Sequence, residues 1–500
     1  MNEAGRLKVV LDISIALSAE KDRNKLLNMI ISKSMEITNC DAGTLYILDG
    51  ENLRFRIMKT LSQNVDRGGD GEPIDIPPVK MTKTNICAYA AINKEVMNIP
   101  DVYDTDRFDF TGPKNYDAMT GYHTGSMMAV PLVDADSRVV GVLQLINALD
   151  GDGNIIPFDD ENEEIVMALS SQAAIAISNM RYRDELQEQM WSFTEAMAAA
   201  IDERTPYNAS HTRNVAKYCG LVADHINELH AKGLEEESFS INRKEQLVMG
   251  ALLHDIGKLV IPLSVMNKAS RLGGRETEIK ARLQSYALKA KIALLEGRLT
   301  SDEYATTNTS INDAIEVMEA VNTAGFVNDE LKERLDAVIN LGITDEGKLG
   351  EVLQDNETDK ASDGRMEPFF TEEEKECLRI VKGTLTEKER KIMESHVEIT
   401  DRILSKVHFN SYFLDSPKWA AEHHECLNGR GYPNHKTADE LATDARIIAV
   451  ADICDALLAT DRPYKKPIPK EKAFDILKDM ANNGNIDGKI VEYLYDCIDC

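Results

Sequence analysis

Five hundred residues with 43% hydrophobic content predict two or three domains with substantial cores. A formal net charge of -28 argues against non-specific binding to DNA or to anionic membranes, reads first as a solvated surface, and requires a locally positive or metal-loaded site for any anionic ligand. No stretch is long and apolar enough to span a bilayer, the start MNEAGRLKVV lacks a basic segment followed by an apolar core, and eight scattered cysteines, Cys497 and Cys500 in the tail among them, fit reduced thiols and a cytoplasmic location.

Residues 1–38 read as helix, with Leu7, Val10, Leu11 and then Leu26, Leu27, Ile30 on recurring faces. Alternation over Gly43–Asp49 predicts a strand ending at Asp49-Gly50. Further strands are predicted at Met127–Val133 and from Val139 to Leu145, with a turn at 134–137 between them. Helix, strands, then helix make an α+β domain ending near residue 180. The Val130-Pro131-Leu132 strand, the run Gly141–Asn147, and Phe158 before an acidic helix start resemble a GAF domain. The resemblance implies an antiparallel sheet flanked by helices over 1–180 and a small-molecule ligand for this domain. The alternative is a structural or dimerising GAF domain. In the cyclic-nucleotide signature of such domains, Asn147, Phe158 and Glu163 match, whereas Ala148 and Asn162 stand where Lys and Asp are usual.

From Glu161 to about Asp202 the pattern is helical without Gly or Pro. Leu169, Ala173, Ala176 and Met180 keep one rhythm, Leu186, Met190, Phe193 and Met197 repeat it, and the phase slips between the sets. A long connecting helix is predicted, with 181–202 as linker. Pairing with its copy in a homodimer is the favoured reading; the alternative is a helix whose two ends pack on separate domains.

Five of the ten histidines form an ordered series in the C-terminal part. His254-Asp255 lies in Leu253-His254-Asp255-Ile256-Gly257-Lys258. His423-His424-Glu425 precedes Asn428-Gly429-Arg430-Gly431-Tyr432-Pro433. Asp452 sits inside the apolar run 447–452, where a carboxylate needs a partner and a metal ion is a good one. Together with Asp461-Arg462-Pro463-Tyr464-Lys465, these segments resemble the HD-GYP family of HD phosphohydrolases over roughly 190–270 and 380–485. The resemblance implies an all-α domain over 203–500 with His211, His254, Asp255, His396, His423, His424 and Asp452 as metal ligands. His123, His225, His230, His408 and His435 match nothing in it.

Imidazole and carboxylate without thiolate suit Fe, Mn, or sometimes Ni or Zn, and the resemblance favours iron or manganese. Tyr207 stands where some members carry an extra Glu for a third metal, so two ions are expected. The implied activity is hydrolysis of cyclic di-GMP to linear pGpG and then GMP. Asp255 and Lys258 are the expected catalytic groups, with Lys258, Arg462, Lys465, Gly431 and Tyr432 on the substrate. Through its Gly429–Pro433 loop the resemblance also implies a diguanylate cyclase partner, although Asn428 replaces the usual Asp. Two alternatives stand: a catalytically silent cyclic-dinucleotide receptor, and a phosphodiesterase for another cyclic nucleotide or dinucleotide. The long stretch between His254 and His396 predicts an insertion at about 269–380, with helices at Thr277–Glu296 and Asp313–Val321. It forms either a helical lid over the active-site mouth or a surface excursion.

Overall fold

Asp22 accepts a hydrogen bond from the Lys25 amide and opens the helix Arg23–Thr38, whose apolar face buries Leu26, Leu27, Ile30, Ile31 and Met35. In the computed structural model, the described residues are 11–17, 19–20, 22–105, 107–204, 210–339, 369–409, 412–459 and 468–498. The helix expected over 1–38 is therefore interrupted: an extended Asp22 caps the second part, and its own carboxylate replaces the intrahelical bond that would have continued the first.

The sheet contains β1 (Cys40–Asp49), β2 (Asn52–Thr60), β3 (Val65–Gly68), β4 (Val79–Lys80), β5 (Met97–Ile99), β6 (Met127–Val133), β7 (Val139–Leu149) and β8 (Ile155–Ile156). Its order is β3-β2-β1-β7-β6-β5, with β4 on β2 and β8 on β7, and every pairing is antiparallel. β7 is central, pairing Leu143 with Leu45 on one side and Val130 on the other. Alternate residues serve opposite faces. Leu45, Val130, Leu143 and Leu145 pack with the helix Arg23–Thr38 and with Val166, Leu169 and Ala173. Tyr46, Met127, Ala129 and Val142 face a second cluster containing Ile86, Phe108 and Phe110.

The chain divides into two compact units, Met1–Met190 and Trp191–Cys500. A single helix, Asp160–Asp202, crosses the division. Its phase slip has a physical cause. Val166, Leu169 and Ala173 belong to the core of the first unit, and Ala198 with Trp191 to that of the second, whereas Leu186 and Phe193 are 65% and 68% exposed. Among the described residues, no helix is long and apolar enough to cross a membrane.

The second unit is helical. Its main core joins the helices His211–Ala231, Ile241–Leu253, Thr443–Leu458, Lys470–Asn482 and Gly488–Cys497 through Val215, Leu247, Ile448, Phe474 and Val491. The 269–380 segment has a separate core, with Ile279, Leu283, Ile311, Val317 and Phe370 fully or nearly buried. Among the described residues its helices are Glu276–Leu295, Ser301–Thr323, Asp329–Ile339 and Glu372–Leu378. The helix expected at Asp313–Val321 is only the apolar end of the longer Ser301–Thr323, which a Thr300–Glu303 capping box opens. Arg271, with no exposed surface, closes the neck of this segment. Its guanidinium donates to the carbonyls of Val321 and Ala324 and to that of Ile380 at the far end of the insertion.

Candidate metal centre

Three histidines are aimed by one local device. His254 caps the helix Ile241–Leu253, and its Nδ1 lies 2.6 Å from the Ala251 carbonyl. His396 opens the helix His396–Leu404, with Nδ1 2.6 Å from the Met393 carbonyl. His423 follows the helix Ser416–Ala421, with Nδ1 2.7 Å from the Ala420 carbonyl. A carbonyl can only accept, so Nδ1 carries the hydrogen and Nε2 presents a lone pair. His211 is held the same way by a side chain. Its Nδ1 is 2.7 Å from Asp455 Oδ2, and the amide of Asn214 donates to the other Asp455 oxygen at 2.9 Å.

These Nε2 atoms converge on Asp255. Asp255 Oδ1 is 3.5 Å from Nε2 of His396 and 3.9 Å from that of His423, while Oδ2 is 3.2 Å from Nε2 of His254 and 3.7 Å from that of His211. One carboxylate therefore faces two histidine pairs with different oxygens. Asp452 Oδ1 lies 3.0 Å from His211 Nε2. All seven residues expected as ligands fall into three groups whose donor atoms lie within 4.8 Å of one another: His396-His423-His424, His211-His254-Asp452, and His254-Asp255-His423.

The donor atoms fit a divalent ion. Nε2 of His254, His396 and His423 and Oδ1 of Asp255 are buried and have no hydrogen-bond partner. Leaving one such group unsatisfied costs about 1–3 kcal/mol, and more for a charged one. Four of them at one point call for a cation. Burial works against the charge on Asp255, but the His254 imidazole and the Lys258 ammonium outweigh it and hold the carboxyl well below the usual carboxylate range. Burial likewise opposes the charge on Asp452, and His211 outweighs it. Burial pushes His423 well down, His424 down to about 4, and His396 down as well, which leaves these imidazoles neutral at pH 7. His211 differs: burial disfavours its charge, but Asp452 and Asp455 push it up to about 10.

Residues 22–177 match the GAF domain family, and residues 208–299 and 375–490 match HD domain families. This chain joins a GAF domain to an HD domain. A 3′3′-cGAMP-specific phosphodiesterase of Vibrio cholerae is 40% identical over 97 residues, which is 19% of this chain and 20% of that protein. A cyclic di-GMP phosphodiesterase of Thermotoga maritima is 40% identical over 100 residues, 20% of this chain and 26% of that protein. The chain thus matches about a quarter or less of the length of either relative. The GAF domain of an Acinetobacter phosphoenolpyruvate-protein phosphotransferase is 15% identical with a TM-score of 0.28, covering 37% of this chain and 99% of that one.

Within the HD domain, two glycines are fixed by close approach. A Cβ on Gly257 would stand 1.9 Å from the His396 carbonyl oxygen, and one on Gly431 would stand 2.2 Å from the Cys426 amide nitrogen. The 428–436 loop is held by Glu425, whose carboxylate accepts from the amides of Asn434 at 2.7 Å and Lys436 at 3.0 Å. Tyr432 then lies with its ring centroid 4.9 Å from that of His424. Lys258, expected on the substrate, sits in a 3-10 turn, Ile256–Leu259, and its ammonium donates to Asp255 Oδ2. Arg462, Lys465, Tyr207 and Cys500 lie outside the described residues. Sequence reasoning missed Asp455 and the three carbonyls. Asp455 had one signal, a second carboxylate one helical turn after Asp452 in the same apolar helix.

In the GAF domain, a cavity of about 340 Å³ is lined by Tyr46, Phe55, Met58, Phe110, Met127 and Gln144, among others. Two of its polar groups are already paired: the Tyr46 hydroxyl donates to Gln144 Oε1 at 2.9 Å, and Tyr122 to Asp41 at 2.8 Å. The signature residues serve the fold. Asn147 binds the Gly125 amide and the His123 carbonyl, Phe158 is buried, and the Phe158 carbonyl and Glu163 both accept from Asn98.

Proposed function

We propose that this protein is a metal-dependent phosphodiesterase that hydrolyses cyclic di-GMP to linear pGpG and then GMP, under the control of its GAF domain. The observation that carries the reading is the Asp255 carboxylate, whose two oxygens each face a different pair of imidazole Nε2 atoms, three of the four without a hydrogen-bond partner. In this reading His211, His254 and Asp452 hold one divalent ion, His396, His423 and His424 hold the other, and Asp255 is shared. Iron or manganese suits this donor set, with nickel or zinc as substitutes. Such a pair, when bound, supplies Lewis acidity and a nucleophile near neutral pH.

The chain's own groups do the rest. The Nδ1 bonds of His254, His396 and His423 fix the tautomer and aim of these imidazoles before any ion arrives. Lys258 neutralises Asp255 and, on turning outward, meets a phosphate oxygen. Arg462 grips the second phosphate bidentately and Lys465 adds a point charge. Tyr432, beside His424, borders the substrate together with Gly431, and the same loop is the surface we assign to a diguanylate cyclase partner. Leu186 and Phe193, exposed one heptad apart on the connecting helix, support a homodimer.

A second substrate is favoured by one finding, the 40% identity to a 3′3′-cGAMP-specific phosphodiesterase. Incubating manganese-loaded protein with cyclic di-GMP and, separately, with 3′3′-cGAMP, and resolving the products by chromatography, tests both. Linear dinucleotide from cyclic di-GMP at the higher kcat/KM is expected. A preference for 3′3′-cGAMP would replace the substrate, and tight binding without product would leave a receptor.

A further inference from the structure

The connecting helix ends at Asp202, and two side chains at that end reach the metal site from different directions. Asp202, 4% exposed, accepts from the Thr212 hydroxyl at 2.6 Å, and Thr212, itself buried, directly follows His211. Arg204 places its guanidinium on the turn that carries Lys258, donating Nη1 to the Lys258 carbonyl at 3.2 Å and Nη2 to the Ile261 carbonyl at 3.0 Å. That turn begins at Asp255, and Lys258 in turn holds Asp255 Oδ2.

We infer that Arg204 and Asp202 are positioning residues: the last turn of the connecting helix sets the placement of Lys258 and His211 around Asp255. The inference rests on the hydrolase reading and names where that site can be regulated. One rigid planar fork on two carbonyls fixes the orientation of the turn as well as its distance, which a single-point donor does not do. A displacement of the helix end acts on both sides of the site together, because the two anchors lie within three residues of each other. A mere staple for stability would predict lower melting with a normal site in the surviving folded protein. A positioning role predicts a displaced Lys258 in protein that is folded and fully metallated.

The test uses full-length manganese-loaded protein carrying Arg204→Ala or Arg204→Lys, the latter guarding against a variant that fails to fold. Amide hydrogen exchange over 256–262 should quicken about 10-fold in Arg204→Ala and by less in Arg204→Lys, with the GAF strands unchanged. With cyclic di-GMP, kcat should fall about 10-fold while KM stays within about 2-fold and metal content matches the parent. In a Lys258→Ala background the same Arg204 change should cost less than about 2-fold, since the group it positions is gone. Wild-type exchange over 256–262, or an equal loss of kcat with and without Lys258, overturns the inference. If the parent protein turns over no cyclic dinucleotide, the hydrolase reading fails, and hydrogen exchange alone decides whether Arg204 holds the turn.

Discussion

In the HD domain, Nε2 of His254, His396 and His423 and Oδ1 of Asp255 are buried around one point with no hydrogen-bond partner. In the GAF cavity, the hydroxyl of Tyr46 and the carboxamide oxygen of Gln144 are also buried but satisfy one another, as do Tyr122 with Asp41 and Thr124 with Asp117. The first arrangement is stable only when something positive completes it. The second folds without help, and a guest entering the cavity must compete with bonds already made. Unpaired buried donors and acceptors thus distinguish a site that requires its ligand from one that tolerates it.

The contrast can be broken most severely at its centre. Asp255→Asn should lower turnover at least about 1,000-fold and remove bound metal, because the shared carboxylate loses its charge; metal analysis beside the chromatographic assay checks this. Asp455→Asn should leave the ligands in place yet weaken metal binding about 10- to 100-fold, measured by competition with a chelator. Gly257→Ala should destabilise the HD domain by about 1–3 kcal/mol, since the new methyl group meets the His396 carbonyl; denaturant titration reads it. On the GAF side, Tyr46→Phe should cost about 1–2 kcal/mol by leaving Gln144 Oε1 unpaired, with metal content and basal turnover unchanged.

The smallest effect lies outside both sites and serves as their control. Lys489 and Tyr493 hold the Glu235 carboxyl down to about 2. A lowered folded-state pKa contributes stability above the ordinary carboxylate range, and this is lost as the pH falls toward 2. Glu235→Gln should therefore melt lower by no more than about 2 °C at neutral pH and converge with the parent in acid, as thermal scans across pH would record.

Much of the fold was legible because its signals are local. Met127–Val133 was predicted as it stands, and β7 runs on to Leu149 past the expected Leu145 because Ala148 still pairs with Cys40. The connecting helix was legible as helix, while its phase slip records two cores that a periodicity reading cannot separate. The first half of Ser301–Thr323 was hidden by its polar residues, and the break at Asp22 by a cap inside an apparently helical pattern. At the metal centre, His254-Asp255 and His423-His424 were legible as unusual pairs. The bonds that aim them were not, since backbone carbonyls leave no trace in a sequence, and Asp455 looked like any polar residue in a helix.

Anomalous diffraction from crystals of the manganese-loaded protein tests the central claim most directly. Two peaks are predicted, one on each side of the Asp255 carboxylate, the first beside His211 and His254 and the second beside His396 and His423. A site that stays empty at saturating manganese, or a peak bound elsewhere with Nε2 of His254, His396 and His423 still unpartnered, would contradict it.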